Sequence, residues 1–271
     1  MRGKRHASIS LYVGISIVAV FVLVAIFAPF LSSHSPFHED LANALAPPSR
    51  NHWFGVDQIG RDVFARVLFG SRFDVSIAVI GVGLAYIVAL PFGLASGYFG
   101  GRTDTVVATV SDSVLTFPSL VLAIVIVNIL GTSLSGIIFT IALTQSPALV
   151  RYIRGFVFQI RDMDYVRSAV VIGASHTRIM FVHILRNTVG PTMVILSLTA
   201  SEAILTAAAL GFLGIGVQPP NPEWGTMLSE SSQYFTQDPL LMVFSGLAIA
   251  ILVLGFNLLG DGLRDYYDTR Q

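Results

Sequence analysis

The sequence predicts an all-α protein that crosses a membrane about six times, and three observations lead to this expectation. First, 54% of the 271 residues are hydrophobic and only 12% are charged, whereas soluble domains contain about 25% charged residues. Second, the apolar residues occur in blocks of about twenty, the length that a helix needs to cross about 30 Å of hydrocarbon. Third, polar and apolar positions do not alternate in blocks such as residues 119–129, which argues against the strands of a membrane barrel.

Six apolar blocks are predicted to be the spanning helices. The first block follows Arg2, Lys4 and Arg5. It is longer than the apolar part of a secretory signal, so we expect it to be retained as a spanning helix. The predicted spans cover residues 9–31, 75–97, 106–130, 134–150, 190–215 and 239–260.

The distribution of basic residues predicts the orientation, because Lys and Arg are retained on the cytoplasmic side during insertion. Six spans place both termini on one side of the membrane. If that side is the cytoplasm, only four of the 16 basic residues lie outside, namely Arg50, Arg61, Arg66 and Arg72. We therefore expect a multi-pass inner-membrane protein with both termini in the cytoplasm. Residues 1–74 then form the first helix and an external loop, and residues 75–271 form a five-helix core with a basic cytoplasmic loop, residues 151–187.

The basic cytoplasmic loop contains the pattern of a short helix. Small and apolar residues recur there at spacings of three and four, which places them on one helical face. These residues are Val166, Ala169, Val170 and Gly173. Asp162 or Asp164 is expected to cap the start of this helix. The pattern alone leaves two roles open, because such a helix either docks into a groove of a partner protein or lies on lipid headgroups.

The loop also carries a family pattern. Tyr165-Val166, Ser168-Ala169, Gly173-Ala174 and residues 183–187 (HILRN) resemble, in order and spacing, the cytoplasmic loop of ABC-importer permeases of the peptide and nickel branch. Four further segments resemble the same branch. They are residues 54–62 (FGVDQIGRD), 97–104 (GYFGGRTD), 212–225 (FLGIGVQPP followed by EWG) and 257–265 (NLLGDGLRD). The chain departs from the branch pattern at Arg186, Ala207 and Gly211. On these segments it is similar to the second-subunit permease of dipeptide, oligopeptide and nickel ABC importers.

This resemblance implies the type I ABC importer permease fold and a transmembrane permease subunit of an ATP-driven importer. The implied cargo is a dipeptide or oligopeptide, with nickel or a metal chelate as the alternative. The implied partners are a second homologous permease, two cytoplasmic ATPase subunits and an external solute-binding protein, in addition to membrane lipid. No nucleic acid, cofactor or catalytic residue is predicted. The chain lacks the Gly-x-x-x-x-Gly-Lys-Ser/Thr phosphate-binding sequence, so ATP hydrolysis is expected in the separate ATPase subunits.

The resemblance also assigns residues to two functional segments. The ATPase-coupling loop contains Asp164, Tyr165, Val166, Arg167, Ser168, Ala169, Gly173, Ala174 and His183. The external signature, which either contacts a partner or pins the loop, contains Asp57, Gly60, Arg61 and Asp62.

Two acidic residues lie inside predicted spans, where an ionised side chain costs about 2.5–3.5 kcal/mol. Asp112 and Glu202 are therefore expected to face protein or water. Glu202 either meets a cationic group of the cargo, such as a peptide amino terminus, or makes a structural hydrogen bond. It is the candidate for the substrate path.

No metal site is predicted, although His34 and His38 are four residues apart, because Pro36 interrupts any helix between them. Two other functional classes have different sequence requirements. A secondary transporter or channel working alone would show inverted repeats and several buried ionisable groups. An intramembrane enzyme would need paired catalytic groups within the spans, whereas all six histidines lie outside the predicted spans.

Overall fold

The computed structural model describes residues 2–268, with the side chains of residues 9–267. Within this range the backbone is helical apart from loops and one isolated β-bridge, between Val56 and Asp62. The predicted all-α class is confirmed. The helices are α1 (Arg2–Leu31), α2 (Val63–Ser76), α3 (Val82–Phe99), α4 (Gly101–Leu115), α5 (Ser119–Leu130), α6 (Leu134–Ile160), α7 (Asp164–Val171), α8 (His176–Arg178), α9 (Leu185–Phe212), α10 (Trp224–Ser232) and α11 (Leu240–Asp268), with a short 3-10 turn at Leu41–Asn43.

Several of these helices join into longer segments. Wider helical turns at Ile77–Gly81 and Ile179–Ile184 connect α2 to α3 and α8 to α9. The described part of the chain contains five helical segments long and apolar enough to cross a membrane, and six if the bent pair α4 and α5 counts as one span. The five are Ile9–Leu31, Val63–Phe99, Leu134–Ile160, His176–Phe212 and Leu240–Tyr267. Arg270 and the side chains of Arg2, Lys4 and Arg5, which enter the orientation argument, lie outside the described residues.

Three helical segments extend beyond the predicted spans. The segment of the second span begins at Val63, twelve residues before position 75, the segment of the fourth continues past 150 to Ile160, and the segment of the fifth begins at His176, before position 190. Charged residues lower the hydropathy of the helical turns that lie beyond the predicted spans. They do not end the helices, because some of them form hydrogen bonds and ion pairs inside the protein. The predicted boundary between the N-terminal part (residues 1–74) and the core (residues 75–271) falls inside the helical segment Val63–Phe99. This division of the chain stays a prediction.

The predicted third span is wrong as a single helix. α4 ends at Leu115, α5 begins at Ser119, and the two are bent by 90°. Pro118 occupies the position before α5 with an extended backbone, φ −54° and ψ 127°. Proline has no N–H to continue the hydrogen-bond ladder and disfavours a helical conformation of the preceding residue, which favours a break at this point.

The buried side chains form two clusters. One joins α6, α9 and α11 to Trp224 of α10, and the other joins α3 and α6 to α7. α3 and α6 approach closely where α3 carries glycine: a Cβ atom at Gly93 would lie 2.7 Å from the Cβ of Ile153. Such small residues let helix backbones approach each other within a membrane. The second cluster therefore connects the basic loop directly to a tightly packed helix pair.

Candidate functional site

The short helix expected in the basic loop is α7, and the residue that precedes it is Met163, which lies between the two candidate capping aspartates. Met163 is the N-cap and makes no side-chain hydrogen bond, so the expectation that Asp162 or Asp164 caps the helix is wrong. Asp164 is the first helical residue, where its charge favours the positive end of the helix dipole. Asp162 instead lies 3.5 Å from Nε of Arg161.

One face of α7 anchors the helix to the spanning segments. Val166 and Ala169 are 1% and 4% exposed and belong to the cluster formed by α3 and α6. Val170 was expected on the same face, but it is 52% exposed. The core contacts only the stripe of Val166 and Ala169, and Val170 points about 100° away from Ala169 around the helix axis.

The carboxyl end of α7 is a Schellman turn. The Ala174 N–H donates to the Ala169 carbonyl at 3.0 Å, and the Gly173 N–H donates to the Val170 carbonyl at 3.0 Å. Gly173 has φ +80°, the left-handed region that glycine enters without a steric cost. This geometry explains why the family pattern has glycine here, because the turn returns Ala174 to the core.

Gly173→Val is expected to destabilise this turn by about 1–2 kcal/mol, because a branched side chain is strained at positive φ. A Cβ atom at this position would meet nothing within 4 Å, so the effect reports the backbone and not crowding. Gly173→Asn is the matched control, since asparagine tolerates the left-handed region. Hydrogen exchange of residues 164–174 in the purified chain measures the effect. Equal exchange in the two variants would contradict this account.

The opposite face of α7 is open. Asp164, Tyr165, Arg167 and Ser168 are exposed, and the helix ends in two strongly exposed apolar residues, Val171 at 86% and Ile172 at 83%. We call Tyr165, Arg167, Val171 and Ile172 the coupling surface. Adjacent apolar side chains this exposed in a polar loop are typical of a surface that a partner covers.

Polar contacts tie the coupling loop to the ends of α3 and α6. The Tyr98 hydroxyl lies 2.8 Å from Nδ1 of His176, and Nη1 of Arg161 donates to the Gly97 carbonyl at 2.9 Å. His183 lies half-buried in the wide turn before α9, where its carbonyl accepts a hydrogen bond from Asn187 at 2.7 Å. The Tyr98–His176 contact thus adds to the packing of Val166 and Ala169 against α3 and α6, and the Arg161 bond joins the ends of these two helices.

A second polar group nearby was not predicted. Asp104 of α4 binds Arg154 of α6 through both carboxylate oxygens, with Nη2 2.8 Å from Oδ2, and it accepts the Ser96 hydroxyl at 2.6 Å. The guanidinium groups of Arg154 and Arg161 lie 4.8 and 4.5 Å from the centre of the Phe158 ring. The family-like segment 97–104 contains Asp104, and this is the signal that could have identified it.

The external signature is built into a buried group of ion pairs. Nε of Arg61 lies 2.6 Å from Oδ2 of Asp57, and its Nη2 lies 2.9 Å from Oε2 of Glu230. Arg66 contacts the same two carboxylates at 3.6 and 3.3 Å. Both arginines are 1% exposed. We call Asp57, Arg61, Arg66 and Glu230 the external ion-pair group, and it joins the long loop and α2 to α10.

The other two signature residues shape the loop around that group. Gly60 has φ +85°, and a Cβ atom there would overlap the backbone of Asp40. Asp62 is the N-cap of α2: its Oδ1 accepts the Ala65 N–H at 2.6 Å, and its Oδ2 lies 2.8 Å from Nδ1 of His52. All four signature residues are buried, which favours pinning of the loop over direct contact with a partner.

α10 is held by a further buried carboxylate that the sequence did not single out. Glu223 accepts the N–H groups of Gly225 and Thr226 at 2.8 Å each and the Thr226 hydroxyl at 2.9 Å. Burial raises the pKa of Glu223 above its usual range, although these three donors oppose the shift. The neighbouring Trp224 donates its indole N–H to the Val67 carbonyl at 3.0 Å. The Glu223 bonds cap the start of α10, and the Trp224 bond joins α10 to α2.

Glu202 lies on the exposed side of α9. Within the described part of the chain no hydrogen bond or ion pair reaches its carboxylate, so the structural hydrogen bond considered for it is absent from the chain by itself. Leu205, one turn further along, is 52% exposed on the same face. Asp112 on α4 is exposed as well. A carboxylate on an apolar span needs protein or water in front of it, so this face of α9 is expected to be covered or wet.

Comparisons with known proteins agree with this architecture. Residues 89–271 match the family described as binding-protein-dependent transport system inner membrane component, and residues 11–48 match the N-terminal TM domain of oligopeptide transport permease C. A chain of the inward-facing MetNI methionine ABC transporter superposes with a TM-score of 0.61 at 15% identity, covering 72% of this chain and 93% of that chain. At that identity the likeness concerns the fold.

Curated relatives align over nearly the whole chain. It is 43% identical to the dipeptide transport system permease protein DppC of Alkalihalophilus pseudofirmus, over 96% of this chain and 85% of the relative. It is 40% identical to the probable D,D-dipeptide transport system permease protein DdpC of Escherichia coli, over 94% and 85%. It is 38% identical to the oligopeptide transport system permease protein OppC of Bacillus subtilis, over 95% and 85%. The chain therefore belongs to the family of inner-membrane permease components of binding-protein-dependent transport systems.

Proposed function

We propose that this chain is one of two different permease subunits of an ATP-driven importer whose cargo is a dipeptide or oligopeptide. The cargo is inferred from relatives named for dipeptide, D,D-dipeptide and oligopeptide transport. The remaining partners are two ATPase subunits and an external solute-binding protein. Both termini and the coupling surface face the cytoplasm, as the distribution of basic residues favours.

The observation that carries this proposal is the two-sided construction of α7. Val166 and Ala169 hold one side in the core with α3 and α6, while Val171 and Ile172 project from the other. A partner that binds the exposed side can therefore pull on two spanning helices through a rigid contact. Closure of the ATPase subunits on ATP supplies the movement, which shifts the spans between inward-open and outward-open states.

The cargo path lies between this chain and the second permease, along the exposed face of α9. Glu202 has no partner within the described chain, and a carboxylate in an apolar span requires one. A water-filled path at the permease interface satisfies this requirement. The carboxylate there attracts the ammonium group at the amino terminus of a peptide.

Glu202→Gln is expected to lower peptide uptake about tenfold or more, because hydrogen bonds to charged groups contribute about 1.5–3 kcal/mol. Uptake of a labelled dipeptide by cells that depend on this importer measures the effect. Asp112→Asn is the matched control, since it neutralises another exposed acid. Unchanged uptake in Glu202→Gln would remove this residue from the path.

Purification of the chain with its native partners from the membrane tests the proposed function. We expect a second permease and ATPase subunits to co-purify, and the cognate solute-binding protein to bind short peptides more tightly than nickel complexes. ATP-dependent uptake into vesicles should require all components. Transport by this chain alone, without nucleotide or partners, would overturn the proposal. If the binding protein binds nickel complexes tightly and does not bind peptides, the proposed cargo is wrong, but the proposed permease role stands.

A further inference from the structure

Three side chains of metal-binding type converge in the long loop between α1 and α2. His34 follows the end of α1, His52 lies in the middle of the loop, and Asp62 caps α2. Each offers one ligand atom, and the three atoms lie within 4.8 Å of one another. Nδ1 of His52 is 2.8 Å from Oδ2 of Asp62, and the two imidazole rings have centres 4.8 Å apart. Residues distant in sequence thus form one cluster.

The cluster has the composition of a zinc site. Two imidazole nitrogens and one carboxylate are a common protein ligand set for Zn²⁺, and a water molecule completes the tetrahedron. Bonds of about 2.0–2.1 Å place tetrahedral ligands about 3.3 Å apart. The most distant atoms of the cluster, which lie within 4.8 Å of each other, therefore need to close by about 1.5 Å at most, and the hydrogen-bonded atoms of His52 and Asp62, 2.8 Å apart, need to separate slightly. His34 reaches solvent, so rotation of its side chain can supply that closure.

The surroundings orient these ligands and leave room for the ion. The Ala65 N–H holds the other oxygen of Asp62 at 2.6 Å, and the Ser33 hydroxyl lies 3.2 Å from Nδ1 of His34. Such outer contacts fix ligand geometry in metal sites. A cavity of about 580 Å³ opens beside the cluster and admits water; it is also lined by His38 and Asp40.

We propose that His34, His52 and Asp62 bind a divalent transition-metal ion, with Zn²⁺ as the ion that their chemistry matches best. The ion ties the exit of α1 to the start of α2, immediately beside the external ion-pair group. His38, which is closer to His34 in sequence, is not a member of the cluster. The competing explanation is that the His52–Asp62 bond pins the loop without metal.

Titration of the full chain with Zn²⁺ distinguishes the two explanations. The protein carries an affinity tag without histidine, is purified in detergent and is treated with a chelator before the titration. We expect one Zn²⁺ per chain, and an affinity at least about tenfold weaker in His34→Ala and in His52→Gln, because even outer contacts of metal sites contribute 10–100-fold. His38→Ala is the matched control and should bind as the unchanged protein does.

Thermal unfolding of the same samples separates a loss of metal binding from a loss of folding. Without metal, His34→Ala should unfold close to the temperature of the unchanged protein, since the His34 side chain makes one hydrogen bond, to the neighbouring Ser33, and a tilted ring contact with the partly exposed His52. Added Zn²⁺ should raise the unfolding temperature of the unchanged protein but not that of the variant. Absence of stoichiometric binding, or equal binding by His34→Ala, would overturn the proposal. Neither measurement depends on transport, so this site and the importer role can fail separately.

Discussion

Replacing Arg61 by alanine is expected to lower the free energy of unfolding by about 3–5 kcal/mol, because it removes one partner from a buried set of ion pairs. The side chain is 2% exposed and bonds Asp57 at 2.6 Å and Glu230 at 2.9 Å. Without it, the two carboxylates share Arg66 alone in a site with little water. Thermal unfolding of the purified chain in detergent should show a clearly lower midpoint.

Arg72→Ala is the matched control for this substitution. Arg72 is an exposed arginine on α2, and changes at such positions alter stability by about 0.5 kcal/mol or less. Arg61→Lys should fall between the two variants, since lysine retains the charge but not the planar fork that reaches both carboxylates. If Arg61→Ala unfolds together with Arg72→Ala, the ion-pair group contributes little, and the external signature must instead act on a partner.

The ion-pair group also shows where sequence-based prediction stops. The segment 54–62 could be identified as a signature because its residues are contiguous. Glu230, in contrast, lies 164 positions after Arg66, and nothing in a single sequence links the two. The same holds for Asp104 and Arg154, which are 50 positions apart. Long-range pairing decides whether a charge faces water or another side chain, and hydropathy does not record it.

Helix existence was predictable, whereas helix ends were not. The apolar blocks are long enough to require helices in a membrane, and five segments confirm them. α2 and α6 extend beyond the predicted spans because Arg66 and Arg154 form bonds inside the protein, which lets each helix continue past these charges. The bend between α4 and α5 had a visible cause in Pro118, but proline also occurs inside α3 and α6, at Pro91 and Pro147. Local sequence therefore indicated a possible break and not its angle.

The coupling loop was predictable to the level of a single helix face. Spacing placed Val166, Ala169, Val170 and Gly173 on one face, and the first two are buried, while the family pattern also identified Gly173. The assignment of Val170 to that face was wrong, because this eight-residue helix buries only two positions. The exposure of Val171 and Ile172 at the end of α7 could not be predicted without knowing the direction in which the Schellman turn leads the chain.

Ile172→Asp is expected to weaken assembly with the ATPase subunits by about thirtyfold or more, since central apolar positions of interfaces contribute about 2 kcal/mol or more. Ile172 is 83% exposed in the chain by itself, so its folded structure does not depend on this side chain. An aspartate at this position would lose its hydration when the partner binds, which is unfavourable unless a basic group of the partner pairs with it. Binding of purified ATPase subunits to the permease pair in nanodiscs measures the affinity, and ATP-dependent uptake should fall with it.

Two variants separate coupling from folding. Ile172→Leu keeps an apolar side chain of equal size and should assemble almost normally. Trp53→Asp places the same charge at an exposed apolar residue of the loop between α1 and α2, where Trp53 is 63% exposed, and should leave ATPase binding unchanged. Because Val166 and Ala169, and not Ile172, pack against the spans, loss of transport in Ile172→Asp with an unchanged unfolding temperature assigns the defect to the docked face. Normal ATPase binding by Ile172→Asp would show that the ATPases engage another surface, and α7 would then lie on lipid headgroups as the basic loop also allows.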